Sequence, residues 1–309
     1  MRWRSPCRPL LLLSFLTLLV GRETVSGFRI CSYNVQKFNL QKASNYRLVN
    51  TLTRVVYRCD ICLLMDVVDP TGQAIETLMS TINRESYRYD NYVYKSVSSN
   101  GLGNSKDGKQ KYVFIYRTQT VNVTDQHQYE TKPPTFFREP FAVKFQSRKT
   151  TIKKFILVPV HTEPTQAVQE IDHLYDVFEK VSKKWNNTNV MFLGDFQAAC
   201  AHMTRLDKKK IRLFTNSNFS WLIGDKVDTT VSEDTNCAYD RIVVYGKTFL
   251  KAITPFSAKV YDIGKQLKIR KSKVKEISDH YPVEVKLKSS ALLLQATPLL
   301  LLLLAHFFL

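Results

Sequence analysis

Apolar and polar positions alternate through Phe28-Arg29-Ile30-Cys31-Ser32-Tyr33, the pattern of a half-buried strand, and the alternation stops at Asn34. Over residues 44–58, Leu48, Leu52, Val55 and Val56 recur at three- and four-residue intervals, which predicts a helix. Ile61-Cys62-Leu63-Leu64-Met65 is an unbroken apolar run, the mark of a strand buried on both faces, and it ends at Asp66. A second helix is expected from about Ala74 to Ile82. Tyr92-Val93-Tyr94 and Tyr112-Val113-Phe114-Ile115-Tyr116 read as hairpin strands around a Gly/Asn/Ser/Lys loop from Ser98 to Lys111. Strands follow near Phe141–Lys144 and Phe155–Val160, the second ending at His161. Thr165 to Trp185 is strongly amphipathic, with Val168, Ile171, Leu174, Tyr175, Phe178, Val181 and Trp185 on one face. Val190–Leu193 is another buried strand, running into Gly194-Asp195-Phe196-Gln197. Arg241–Val244 follows Asp240, and Val283, Val285 and Leu287 alternate with Glu284 and Lys286 after Asp279-His280. No repeat or long linker interrupts these elements, so one mixed α/β domain is predicted.

Asn34, Asp66, His161, Asp195 and Gln197 thus stand where apolar strands run out, and Asp240 and Asp279-His280 where they begin. Antiparallel neighbours bring starts and finishes to one edge. A single polar residue at a strand end is most often a cap or turn former. The whole set on one rim points instead to a site. The acid beside the imidazole in Asp279-His280 is equipment for activating water.

Composition places this domain in the secretory pathway. Arg2, Arg4 and Arg8 precede an apolar run from Leu10 to Val20, and small residues at Val25-Ser26-Gly27 mark cleavage, so residues 1–27 read as a signal peptide. Residues 28–288 form the domain, and 289–309 an apolar tail behind Ser289-Ser290-Ala291, either a glycolipid-anchor signal or a tail membrane helix. The expected location is the cell surface or the extracellular space, after passage through the endoplasmic reticulum. There disulfides form. Once Cys7 leaves with the signal, five cysteines remain, so at least one is a free thiol. Cys31 and Cys62, inside apolar strands, are expected as buried thiols, and Cys200 and Cys237, flanking a polar loop region, as the disulfide. Sequons at Asn122, Asn186 and Asn218 are compatible with glycosylation. The formal charge of +18 includes four arginines and one glutamate within residues 1–27, leaving about +15 for the remainder. Such an excess favours a polyanionic partner, nucleic acid or an anionic membrane.

The segments Arg29–Asn34, Arg138-Glu139-Pro140-Phe141, His161-Thr162, Gly194-Asp195-Phe196, Asp228-Thr229-Thr230, Asn236-Cys237-Ala238-Tyr239-Asp240-Arg241 and Ser278-Asp279-His280-Tyr281-Pro282-Val283-Glu284 resemble, in order, the deoxyribonuclease I family of the endonuclease/exonuclease/phosphatase superfamily. The apolar tail resembles that of a membrane-anchored member. This resemblance implies a four-layer αββα sandwich of two mixed β-sheets. It also implies endonucleolytic hydrolysis of DNA to 5′-phosphate products with Mg²⁺ or Mn²⁺, aided by structural Ca²⁺. It would make His280 the general base, oriented by Asp240, and His161 the acid. Asp66 would hold the metal with Asp279 nearby. Asn34, Asp195, Gln197 and Arg138 would orient phosphate and water. Asp228 and Thr230 match the calcium loop, and Cys200–Cys237 the family disulfide. A monomer is expected.

Several positions depart from the family pattern. Asp66 replaces a glutamate and Gln197 an asparagine; Gln110 falls where a glutamate orients the first histidine; Gly108 and Val68 fall at a minor-groove tyrosine and arginine. A carboxylate drawn back by a methylene predicts reduced activity, by up to ~10²-fold. With Gln110 beside it, His161 is expected to be protonated less often. Against these stand Lys265, Lys268, Arg270, Lys271, Lys273 and Lys275 leading into the Asp-His pair, and Lys208-Lys209-Lys210, as a phosphate-tracking surface. A non-catalytic DNA-binding surface protein on the same fold is the alternative. A phosphatase or phospholipase of the superfamily is a third reading.

Overall fold

The computed structural model describes residues 27–103 and 108–290; the signal segment up to residue 26 and the apolar tail from residue 291 lie outside the described residues. Strands run at β1 (Phe28–Phe38), β2 (Ile61–Val67), β3 (Tyr94–Ser98), β4 (Lys111–Arg117), β5 (Asn122–Gln128) and β6 (Phe141–Gln146). They continue at β7 (Lys154–His161), β8 (Val190–Asp195), β9 (Phe219–Trp221), β10 (Asp240–Tyr245), β11 (Lys259–Val260) and β12 (Val283–Leu287). Two six-stranded sheets result, in the orders β11-β12-β1-β2-β4-β3 and β5-β6-β7-β8-β10-β9. Each is mixed, with β1 parallel to β2 and β7 parallel to β8.

Period-two alternation sorts the side chains into three apolar layers. Ile61, Leu63 and Met65 of β2 meet Phe155 and Leu157 of β7 between the sheets. Cys62 and Leu64 face the other way, onto Leu48, Leu52, Val55 and Val56 of the helix Tyr46–Tyr57. Ile156, Val158 and Val160 face Ile171, Leu174, Val177 and Val181 of the helix Ala167–Trp185. The fold is therefore the four-layer αββα sandwich, and the unbroken apolar runs are buried on both faces because each strand serves two layers.

The structure extends or corrects several expectations. The helix expected to end near Ile82 continues to Tyr89, and the strand expected from Tyr92 begins at Tyr94. The edge strand β5, sequence NVTDQHQ, has almost no apolar pattern because its side chains are largely in water. Cys31 is not a free thiol. It is bonded to Cys59, with a Cα–Cα separation of 6.1 Å. Cys31 faces the helix layer, and the helix Tyr46–Tyr57 delivers Cys59 above it, within bridging range. Cys62 remains as the buried thiol, and Cys200 pairs with Cys237.

Gly194 fixes the approach of β7 to β8. Its φ is +141°, and a Cβ there would collide with the backbone of Val160. The neighbouring register pair is His161 and Asp195. Gly194→Ala should cost about 3 kcal/mol, seen as a fall in Tm of about 10 °C. An unchanged Tm would show that the strands can part without penalty.

Candidate active site

The rim positions converge where the ends of the two sheets meet. The second sheet contributes His161, Asp195 and Asp240, with Asp195 in register against both others. The first sheet contributes Asn34, Asp66 and the Asp279-His280 turn. Two bulges shape that side: register breaks between Asn34 and Phe38 on β1 and between Leu64 and Val67 on β2. Left-handed backbone at Gln36 (φ 45°), Lys37 (φ 54°) and Asp66 (φ 59°) accompanies them. Asp66 thus lies inside its strand, not beyond it, turned out of the ladder by the bulge.

Asp195 is the centre. Its Oδ2 accepts from Asn34 Nδ2 at 3.2 Å and from Gln197 Nε2 at 3.0 Å. The same oxygen lies 3.6 Å from His280 Nε2 and 3.9 Å from His161 Nε2. Gln197, in left-handed backbone (φ 49°), folds back so that its amide also reaches Asp195 Oδ1 at 2.9 Å. The extra methylene relative to asparagine is taken up by that backbone.

The two imidazoles stand in opposite electrostatic surroundings. Burial opposes a charge on His280, but Asp240, whose Oδ2 is 2.7 Å from Nδ1, and Asp195 outweigh it and hold the pKa up to about 10. Burial pushes Asp240 up against the pull of His280, while Asp195 is held below the usual carboxylate range by both histidines and Gln197 despite its burial. His161 is buried as well, and with the Arg138 charge beside it the pKa falls to about 3, Asp195 offsetting only part. Its Nδ1 is buried without a hydrogen-bond partner. Gln110, expected to accept from that nitrogen, instead receives Arg138 Nε. A guanidinium is the stronger donor, so it takes the amide oxygen. Arg138 also reaches the His161 carbonyl at 3.3 Å and Glu163 at 3.5 Å, held at the rim as a candidate phosphate clamp.

A divalent cation fits beside Asp66. Among the described residues no three His, Cys, Asp or Glu gather as a metal cage. Asp66 Oδ1, however, is buried with no hydrogen-bond partner, and burial holds the carboxyl above its usual range. An orphaned hard oxygen suits Mg²⁺ or Mn²⁺, which bind through one or two carboxylates plus substrate phosphate. Asp279 is nearby, since Lys42 feels the charges of both aspartates. In the outer loop, Asp228 Oδ1 accepts from Thr230 Oγ1 at 2.7 Å and Thr230 N at 2.9 Å, the geometry of the candidate calcium loop.

Several positioning residues were not singled out from sequence. Thr229 Oγ1 accepts from the backbone N–H of Asp240 and Tyr239. Ser278 Oγ donates to the Asn34 carbonyl at 2.7 Å and accepts from His280 N, tying the Asp-His turn to β1. Lys42 Nζ spans the Val35 and Ile277 carbonyls. Their partners are up to 244 residues away, so no local pattern could have found them. Gly108 and Val68 prove to be neighbours, a Cβ on the glycine lying 3.1 Å from Val68. The basic run is partly neutralised: Lys265 pairs with Asp262, Lys271 with Glu233, Lys273 with Glu276, and Lys208 with Asp225. Lys268, Arg270 and Lys275 remain exposed. The sequon residues Asn122, Asn186 and Asn218 are all exposed at the opposite pole, where β5 begins, the helix Ala167–Trp185 ends and β9 begins.

Residues 31–280, spanning this two-sheet sandwich and its rim, match the Endonuclease/Exonuclease/phosphatase family. The chain belongs to that family and is homologous to its deoxyribonuclease I branch. It is 39% identical to human deoxyribonuclease gamma over 279 residues, 89% of this chain and 90% of the relative. It is 38% identical to mouse deoxyribonuclease-1-like 1 over 305 residues, covering 96% and 91%. In fold it is similar to the human Nocturnin catalytic domain, with TM-score 0.58 at 11% identity, over 86% of this chain and 95% of that one.

Proposed function

We propose that the protein is a deoxyribonuclease that cuts DNA endonucleolytically, leaving 5′-phosphate and 3′-hydroxyl ends. The observation carrying this reading is the pair of imidazoles whose Nε2 atoms face one carboxylate, Asp195, on a rim that also holds the orphaned Asp66 oxygen. Divalent-cation dependence goes with family membership; bound at Asp66, with Asp279 nearby, the ion would neutralise phosphate charge. Arg138 and Asn34 hold the phosphate, and Asp195, braced by Gln197, orients the water.

The electrostatic surroundings of the two imidazoles, with no metal bound, favour the reverse of the roles implied by the resemblance. His161, uncharged at rest, takes the proton from the attacking water. His280, kept protonated by Asp240, gives its proton to the departing O3′ as the P–O3′ bond breaks. Calcium would bind at Asp228 with Thr230 and loop backbone oxygens. One chain supplies every group, so a monomer suffices. Secretion through the signal at 1–27, glycosylation at the three sequons, and surface attachment through 289–309 complete the reading; both disulfides suit that compartment.

The pH profile tests the roles. A lowered His161 keeps its base form until pH falls towards 3, and a raised His280 keeps its acid form until pH rises through about 10. Asp66, with its raised pKa, must ionise to hold metal and therefore sets the acid limb. Plasmid nicking should show a broad plateau between those limbs, without a limb near 6.5. A limb near 6.5 that vanishes in His280→Ala would restore His280 as the base. If DNA is bound but never cut, even after Asp66→Glu, Gln110→Glu and Gln197→Asn are combined, the non-catalytic reading stands instead.

A further inference from the structure

We propose that the pole opposite the active site is a docking surface for an anionic lipid bilayer, separate from any anchoring by the tail. Three segments meet there: residues 147–153, 246–259 and 286–290. They are sewn together by hydrogen bonds from Thr151 N to the Lys288 carbonyl, Lys288 Nζ to the Lys251 carbonyl, Thr254 N to the Lys286 carbonyl, and Ser290 Oγ to the Arg148 carbonyl. Together the segments hold eight lysines and arginines and no aspartate or glutamate. Glu284 lies beneath, where Lys259 approaches it at 3.9 Å, but it is buried and turned to Arg58 at 2.8 Å.

From this cationic surface a phenylalanine projects. Phe256 is 102% exposed, held at φ 55° in the turn that Ser257 closes onto the Thr254 carbonyl. Leu250 is exposed close by in sequence. A fully hydrated aromatic ring among lysines suits neither the protein interior nor water. It suits the headgroup–acyl boundary, where the ring inserts and the lysines meet lipid phosphates. The direction of the chain supports that occupant. The described residues end at Ser290, within the patch, and residues 291–309 contain no Asp, Glu, Lys or Arg. The sequons stand at the same pole, and Asn218 adjoins the patch, its carbonyl accepting from Gly246 N at 2.8 Å, while Phe256 lies further along that segment, leading into β11 at the edge of the first sheet. Docked this way, the protein presents its active site away from the bilayer, open to soluble DNA.

The test uses full-length protein labelled at Phe256→Cys with a polarity-sensitive dye; Cys62, the free thiol among the described residues, is buried. It is mixed with vesicles of phosphatidylcholine alone or with added phosphatidylserine. Attachment by the tail alone would leave the dye in water on both. The proposal expects a blue shift on the anionic vesicles only, lost at high salt. Lys149→Glu combined with Lys251→Glu should weaken it at least about 25-fold, about fivefold per lysine removed. Cleavage of a free oligonucleotide should be unchanged by that pair, so failure here is distinguishable from failure of the nuclease reading. Aqueous emission on vesicles that carry the protein would overturn the proposal. So would an equal shift with short duplex DNA and no lipid, which would make the pole a nucleic-acid surface.

Discussion

Asp240→Asn should lower DNA turnover by about 10³- to 10⁴-fold while leaving the fold intact. Asp240 holds His280 Nδ1 at 2.7 Å in a fully buried pair, and its carboxylate is the principal reason that His280 keeps a proton against burial. The amide removes that charge, so His280 becomes neutral at rest and has no proton for the departing oxygen. The alkaline limb of activity should accordingly move down from about 10 towards neutrality. The contact from Asp240 N to Thr229 Oγ1 is backbone-borne and survives, so Tm should change little. Steady-state cleavage across pH checks this. A loss of less than tenfold with the alkaline limb in place would remove His280 from the acid role.

Asp66→Asn should be nearly as damaging, at about 10³-fold, for a different reason. Asparagine keeps the shape but removes the hard anionic ligand. Because burial raises the Asp66 pKa, the ionised carboxylate costs the metal-free fold stability at neutral pH. The variant should therefore melt at the same temperature or higher without metal. Mg²⁺ or Mn²⁺ should raise the Tm of the native protein and leave that of the variant unchanged. A variant still stabilised by metal would place the ion elsewhere on the rim. Reading activity and melting together separates lost chemistry from lost structure.

The sequence by itself determined the elements that bury a continuous face. The helix over Tyr46–Tyr57, the helix over Ala167–Trp185 and the core strands β2, β7 and β8 follow from periodicity, because three apolar layers demand it. It also placed Asn34, His161, Asp195, Asp240 and His280 at strand ends, and their convergence follows once those strands pair. Edge elements such as β5 were not legible, since a strand facing water needs no apolar pattern. What only the tertiary structure decided are relations across distance. Cys31 found Cys59 because a helix ended above it. Gln110 bonded Arg138, not His161, because a guanidinium competed for its oxygen. Above all, two histidines identical in sequence terms were given opposite electrostatic surroundings. One sits between two carboxylates and the other beside an arginine, and charge in a buried site is set by neighbours that the chain brings in from far along its length.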